Sequence, residues 1–427
     1  MTNEDKEILL VDLFQAYYDA RKNKRHTINQ IRFEIDYEKN LIELHQEIID
    51  GKYRISPSIC FVVNEPVKRE IFAADFRDRV IHHLIFNYIN RYLDKGFIED
   101  SYSCRKSKGT LFGIRRVQGF IEQCSENYTR DCYILKLDVR GYFMSINKQI
   151  LYEILESDIE RFSESAPDGR LSGMDPKLIL QLIRVTLDDN PVSNCKIKGK
   201  KTDWAGLPHA KSLFHLPEGT GLPIGNLTSQ LFSNVYLNIL DHFVTKELGM
   251  EYYGRYVDDF VIVHTDKKLL KQTITKINDF LREELKLELH PLKIYLQHYS
   301  KGVNFLGATL KPYRSYISRR TKSNFTKCVN YWSRRLSNSA EQPSLDELEE
   351  MRACINSYLG LMKHHCTYNI RKKVLFGKSN QIFKYGYLTK GLHCFVLKKK
   401  YQKKYNYQVQ SIEKSFPIKN DKEMKAS

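Results

Sequence analysis

The spacing of apolar residues changes character several times along this chain, and each change marks an element. Ile8, Leu9, Leu13 and Tyr17, then Ile28, Ile31, Ile35, Leu41, Ile42 and Ile48, recur at helical intervals, so residues 1–50 are expected to form a helical extension. Between Tyr53 and Phe72 the apolar runs shorten and are broken by Pro57 and Pro66, the pattern of a strand hairpin. Helical spacing returns over 75–93 and 109–124, and Cys132 to Leu137 is a short apolar run ending on Asp138, as a buried strand would. Residues 194–217 are polar, basic and interrupted by Gly199, Gly206, Pro208 and Pro217, which predicts a loop or irregular insertion. A Gly/Pro turn at 219–225 then opens a helix from Asn226 to Lys246, and Tyr252 to Val263 reads as a β-hairpin. A helix over 267–287 and strand-like runs near Ile294 and Phe305 follow. From Thr321 onward helices dominate, and the lysine- and tyrosine-rich end is expected to be loosely ordered. The mixture is an α/β (α+β) chain.

A length of 427 residues favours two or three lobes over one. Lys plus Arg number 68 against 51 for Asp plus Glu, and a net charge of +17 favours a polyanionic partner, nucleic acid first. A membrane partner is not expected, because no apolar run approaches the ~20 residues of a spanning helix. The first ten residues are acidic and lack the basic start of a signal peptide, so export is not expected. Nine cysteines without a CxxC pair imply reduced thiols in a cytoplasmic protein and suggest no zinc site.

The candidate chemistry lies in three acids. Asp258 and Asp259 fall between two apolar segments, 252–256 and 260–263, and so occupy the bend of a hairpin. Adjacent aspartates in a turn are commonly just solvated. Asp138 is different, because an ionised acid at the end of a buried strand costs free energy unless something compensates it. A divalent cation would do so, and three carboxylates from two strand ends suit a pair of Mg²⁺ ions serving nucleotidyl transfer. The bland reading of Asp138 is a helix cap near Gly141.

These residues resemble those of prokaryotic reverse transcriptases, most closely the diversity-generating retroelement branch, over about residues 66–373. LKLDVRGYFMSI (135–146), GLPIGNLTSQLFSN (221–234) and YVDDF (256–260) match the palm motifs in order and spacing. The resemblance implies a right hand of fingers, palm and thumb: an N-terminal extension over 1–50, fingers and palm over 51–312, a helical thumb over 313–390 and a basic tail over 391–427. It implies catalysis by Asp138, Asp258 and Asp259, and a set of Asp138, Val139, Asp258 and Asp259 holding two Mg²⁺, for which Mn²⁺ can substitute. Lys68, Arg69, Arg105, Phe143, Ile224, Gly225, Gln230 and Lys293 would meet the incoming deoxynucleotide, with Phe143 as steric gate and Lys293 at the leaving pyrophosphate. Tyr256, Phe305, Leu306, Gly307, Trp332, Arg335, Lys363 and His364 would contact primer or template.

Ile224 departs from the glutamine that many reverse transcriptases place before this glycine, and an apolar side chain there would lower base selectivity. With TSQ at 228–230 and KSLF at 211–214, it is what makes the chain similar to the diversity-generating branch. That branch implies error-prone copying of a template-repeat RNA into cDNA for a variable gene, a small basic ring-forming accessory protein, and a bacterial or phage source. Another prokaryotic reverse transcriptase, of group II intron or phage-defence type, is the alternative within the class. An RNA-binding scaffold with an inactive palm is the alternative outside it. No RNase H or HNH-like nuclease pattern is seen.

Overall fold

Four antiparallel strands, in the order Tyr252–Tyr256, Asp259–His264, Tyr133–Asp138, Tyr295–His298, form the sheet around which the first part of the molecule is built. The computed structural model describes residues 2–22, 27–65, 67–337, 342–377 and 381–402. It divides into two units, Met1–Leu306 and Gly307–Ser427. The lysine- and tyrosine-rich stretch from 403 onward, and Pro66, lie outside the described residues.

In the first unit the sheet interior is the run Phe260 to Val263, fully buried, beside Ile134, Leu135 and Leu137. Continuous apolar runs of this kind belong to strands covered on both faces. The covering helices start where their sequences supply caps. Asp75 accepts from Arg77 N–H ahead of helix Phe76–Gly96, Asn147 from Gln149 and Ile150 ahead of Lys148–Glu164, and Asp266 from Lys268 and Leu269 ahead of Lys267–Leu285. Helix Leu227–His242 is buried on nearly every side, with Thr228, Ser229, Ser233, Asn234 and Asp241 inside beside Leu231, Phe232, Val235 and Tyr236. So central a helix can place polar groups where the sheet needs them.

A second small sheet pairs Ser58–Val63 antiparallel with Arg69–Ala73 and parallel with Cys195–Ile197. The 194–217 segment therefore contributes a short strand before passing through irregular 3-10 turns. Its regularity comes from the partner strand, since its own sequence carries no periodic pattern. At the N-terminus, helices Asn3–Arg21, Ile28–Ile35 and Tyr37–Ile49 turn Leu9, Leu13, Tyr17, Phe33, Leu41, Leu44 and Ile48 inward. Of the isoleucines that mark the helical spacing there, Ile28, Ile31, Ile35 and Ile42 are exposed instead.

The second unit packs helices Arg319–Ser337, Leu345–Met362 and Tyr368–Leu375 around Phe325, Val329, Leu348, Met351, Ile355 and Leu359. Two antiparallel strand pairs belong to it, Ala308–Lys311 with Arg314–Ile317 and Gly386–Leu388 with Phe395–Leu397.

Candidate active site

Strand register brings the three acids together. Asp138 is the Cα partner of Asp259 across the central strand pair, and the Val139 N–H donates to the Asp258 carbonyl at 3.2 Å. Asp258 stands in the bend between the hairpin strands, as its spacing predicts, while Asp259 is already the first residue of the following strand, paired with Tyr256. Burial pushes both acids above the usual carboxylate range, Asp259 to about 6, and the negative charge of Asp138 adds to the shift in each case. Two lysines offset part of that cost. Lys293 Nζ lies 2.8 and 2.9 Å from the two Asp138 carboxylate oxygens, and Lys136 Nζ lies 3.0 Å from Asp259 Oδ2.

Among the described residues no three acids, histidines or cysteines stand in ready metal-holding geometry; ammonium groups meet Asp138 and Asp259 instead. The donor set nevertheless fits a hard divalent cation. The oxygens are carboxylate, their mutual repulsion raises two of them, and Asp259 Oδ1 is buried without a hydrogen-bond partner.

The bend itself is strained and held. Val257 has φ +58°, a region costly for a β-branched residue. Its N–H donates to Ser103 Oγ at 3.3 Å and its carbonyl accepts from Arg255 Nη1 at 2.9 Å. Ser103 is bonded in both directions to Asn234, and Arg255 is forked onto Asp241, at 2.7 Å from Nε and 2.6 Å from Nη2. Sequence reading missed Lys136, Arg255, Asp241, Ser103 and Asn234. The available signal was a charged residue inside an otherwise apolar strand, at Lys136 and again at Arg255.

The remaining expected nucleotide contacts are placed as follows. Arg69 is exposed, and its charge reaches Asp258. Lys68 Nζ donates to the Ala205 carbonyl at 2.6 Å. Phe143 is half-buried, edge-on to Tyr142, and Tyr142 donates its hydroxyl to the Ser233 carbonyl. Ile224 is half-buried against a cluster of Cys60, Phe72, Met144 and Leu213, and its carbonyl accepts from Phe72 N–H at 3.0 Å. Gly225 has φ +131°, and a Cβ there would meet the Phe72 carbonyl oxygen at 3.0 Å, so backbone crowding and conformation both select glycine. Gln230 is exposed, its Oε1 accepting from Cys104 Sγ at 3.4 Å.

Arg105 corrects the expectation of direct contact. Its side chain is 7% exposed and bonds to Asp94 Oδ1 at 2.6 Å, the Ile98 carbonyl at 2.7 Å and the Asp94 and Ser101 carbonyls at 3.1 and 3.2 Å. It ties its own loop together, because a guanidinium so placed gains more from inward carbonyls than from solvent.

Among primer and template candidates, Tyr256 is half-buried, Phe305 is buried, and Leu306 and Gly307 take φ +48° and +82° in a tight turn. In the second unit Trp332 is a second correction. It is 4% exposed and belongs to the apolar stripe Phe325, Val329, Trp332, Leu336, so it cannot offer its face to a base. The exposed ring is the adjacent Tyr331, which lines a shallow groove with Lys327, Asn330, Arg334 and Arg335. Arg335 also pairs with Glu347 at 2.7 Å. Lys363 and His364 are exposed at the end of helix Leu345–Met362. No helix among the described residues is long and apolar enough to cross a membrane.

Comparison with known proteins bears on the same region. Residues 171–310, about a third of the chain, match the family model described as reverse transcriptase (RNA-dependent DNA polymerase). The match includes the hairpin with Asp258 and Asp259, together with Ile224 and Lys293. The chain is 23% identical to protein YkfC of Escherichia coli (strain K12) over 306 residues, 64% of this chain and 71% of that protein. Among solved structures it is similar to telomerase of Candida albicans in complex with a TWJ fragment of telomeric RNA, at TM-score 0.43 and 12% identity, covering 79% of this chain and 64% of that one. It is likewise similar to apo telomerase of Candida tropicalis, at TM-score 0.45 and 12% identity, covering 79% and 60%. The chain thus spans less than two thirds of these telomerases. The four-stranded sheet bearing the acids, with its covering helices, is consistent with the palm of a right-hand polymerase fold.

Proposed function

We propose that this chain, a reverse transcriptase and so an RNA-directed DNA polymerase, copies a template-repeat RNA into cDNA with frequent errors, for diversification of a target gene. The carrying observation is the convergence of Asp138 with the Asp258–Asp259 bend at one end of the sheet. Reverse transcriptase domains depend on divalent cations, and here Asp138, Val139, Asp258 and Asp259 would hold two Mg²⁺, whose Lewis acidity would serve nucleotidyl transfer. The protein's own groups do the rest. Lys293 Nζ, now paired to Asp138, is assigned to the leaving phosphates as a charge-neutralising donor. Arg69 and Lys68 bring cations to the triphosphate. Phe143 beside Tyr142 limits the space at the sugar, which favours deoxynucleotides.

The error-prone reading is supported by Ile224, an aliphatic side chain packed on Phe72, Met144 and Leu213, which offers no hydrogen bond by which a mispair would be sensed. The net charge of +17 supports an RNA template and a DNA primer strand as partners. A small basic ring-forming accessory protein is proposed on the sequence resemblance alone.

The test is primer extension on an RNA template with deoxynucleotides and Mg²⁺, with the accessory protein and its cognate RNA supplied. Asp258→Ala is expected to abolish extension, and retained extension would remove the acids from the chemistry. In the same assay Ile224→Gln is expected to reduce misincorporation opposite adenine. Identical error spectra would withdraw Ile224, and with it the diversification reading.

A further inference from the structure

The bend carrying Asp258 and Asp259 places a β-branched residue in a backbone region that such residues avoid, so something outside the bend must hold it there. Both backbone polar groups of Val257 are taken, the N–H by Ser103 Oγ and the carbonyl by Arg255 Nη1. Both holders are anchored on one helix. Asn234 fixes Ser103, Asp241 fixes Arg255, and the seven-residue separation of Asn234 and Asp241 puts them two turns apart on the same face of Leu227–His242.

The Arg255–Asp241 pair has zero side-chain exposure on either partner, and Tyr253 adds a hydroxyl bond to Asp241 Oδ1 at 2.6 Å. Two apolar residues of similar volume would usually stabilise such an interior at least as well as a buried ion pair. What they could not supply is a donor aimed at the Val257 carbonyl. The chain therefore retains a charge pair where packing alone does not require one, three residues before the first acid of the bend.

We propose that Arg255, oriented by Asp241, is a positioning residue that holds the Val257 carbonyl and thereby sets where Asp258 and Asp259 stand for nucleotidyl transfer. The inference rests on the reading of those acids as catalytic. It assigns Arg255 no contact with substrate. Its role is to keep a strained turn in one conformation, so its loss is felt in turnover and not in binding of the nucleic acid.

The decisive variant replaces the whole buried polar set, Arg255→Met with Asp241→Leu and Tyr253→Phe, leaving no uncompensated charge inside. Full-length protein is assayed by thermal melting, by steady-state primer extension and by Mn²⁺ titration followed by electron paramagnetic resonance, with wild type and Asp258→Ala as references. The expected result is a folded protein whose kcat falls on the order of a hundredfold, the scale of a misplacement of about 1 Å. The KM for primer–template stays unchanged and Mn²⁺ binding weakens. A folded variant with wild-type kcat and Mn²⁺ binding overturns the proposal. If the triple variant does not fold, Arg255→Lys, which keeps the buried charge but not the fork, is judged by the same readouts. Should Asp258→Ala itself retain activity, the reading of the acids fails; should only the Arg255 variants retain it, the positioning role alone fails.

Discussion

The acidic bend and the 194–217 segment are both irregular backbone pinned by a buried acid, yet they are pinned in opposite ways. Asp241 is forked onto Arg255, and that ion pair reaches the strained carbonyl of Val257. Glu70, 1% exposed, works through neutral donors. It accepts from Trp204 Nε1 at 2.6 Å, Ser212 Oγ at 2.8 Å and Leu213 N–H at 2.8 Å. The difference follows from what each must resist. A left-handed valine pushes back against its conformation, and a rigid charge-assisted fork opposes that push. A segment with little periodic structure needs several bonds converging on one acceptor, which gathers the chain and lets Trp204, Leu213 and Phe214 pack on Phe72 and Met144.

If that distinction is right, breaking the charged anchor costs most. Asp241→Ala leaves the Arg255 guanidinium buried without its partner, and destabilisation of about 3–5 kcal/mol is expected in urea unfolding. A loss below about 1 kcal/mol, with unchanged unfolding cooperativity, would mean that water reaches Arg255 and that the anchor is not a dry one. Glu70→Ala should cost less, about 2 kcal/mol, because it strands neutral donors and no charge. Its effect should also be local. Amide exchange at Leu213 is expected to accelerate while the strands Tyr133–Asp138 and Asp259–His264 keep their protection, and uniform acceleration would show that Glu70 supports the whole unit instead.

Neither anchor was legible in the sequence, and the reasons are physical. The palm acids could be read because each sits at a change of pattern, Asp138 at the end of an apolar run and Asp258–Asp259 between two. Arg255 and Asp241 meet only because a helix end and a strand are juxtaposed, and Glu70 finds partners more than 130 residues away. Trp332 shows the opposite failure. Its spacing with Phe325, Val329 and Leu336 is the stripe of an amphipathic helix, and that regularity outweighs the neighbouring arginines that suggest a nucleic-acid surface. Helices Lys148–Glu164 and Pro176–Asp188 are additions to the expected elements, although Leu151, Leu155 and Ile159, and Leu178 and Leu182, recur at helical spacing and are buried. Arg105 looks like a free cation because its partner Asp94 is eleven residues distant, on a helix whose end folds back over it.

Asp78 sharpens the comparison with the smallest effect. Like Glu70 it is a buried acid bonded to neutral donors, Tyr53 Oη at 2.9 Å and Ser56 N–H at 3.0 Å. Burial raises its pKa to about 6, and the two donors with the nearby Arg77 charge offset only part of that rise. A folded-state value above the unfolded one means that the folded protein binds the extra proton. The associated stability is present in full below the ordinary carboxylate value of 3.8 and is lost as pH rises through about 6. Asp78→Asn removes the titration, so the stability of wild type relative to this variant should fall by about 1 kcal/mol between pH 5 and pH 7.5. Paired urea titrations at the two pH values measure it. An equal difference at both would show that neutral donors alone keep a buried carboxylate ionised across this range, and the contrast drawn between the two kinds of anchor would lose its basis.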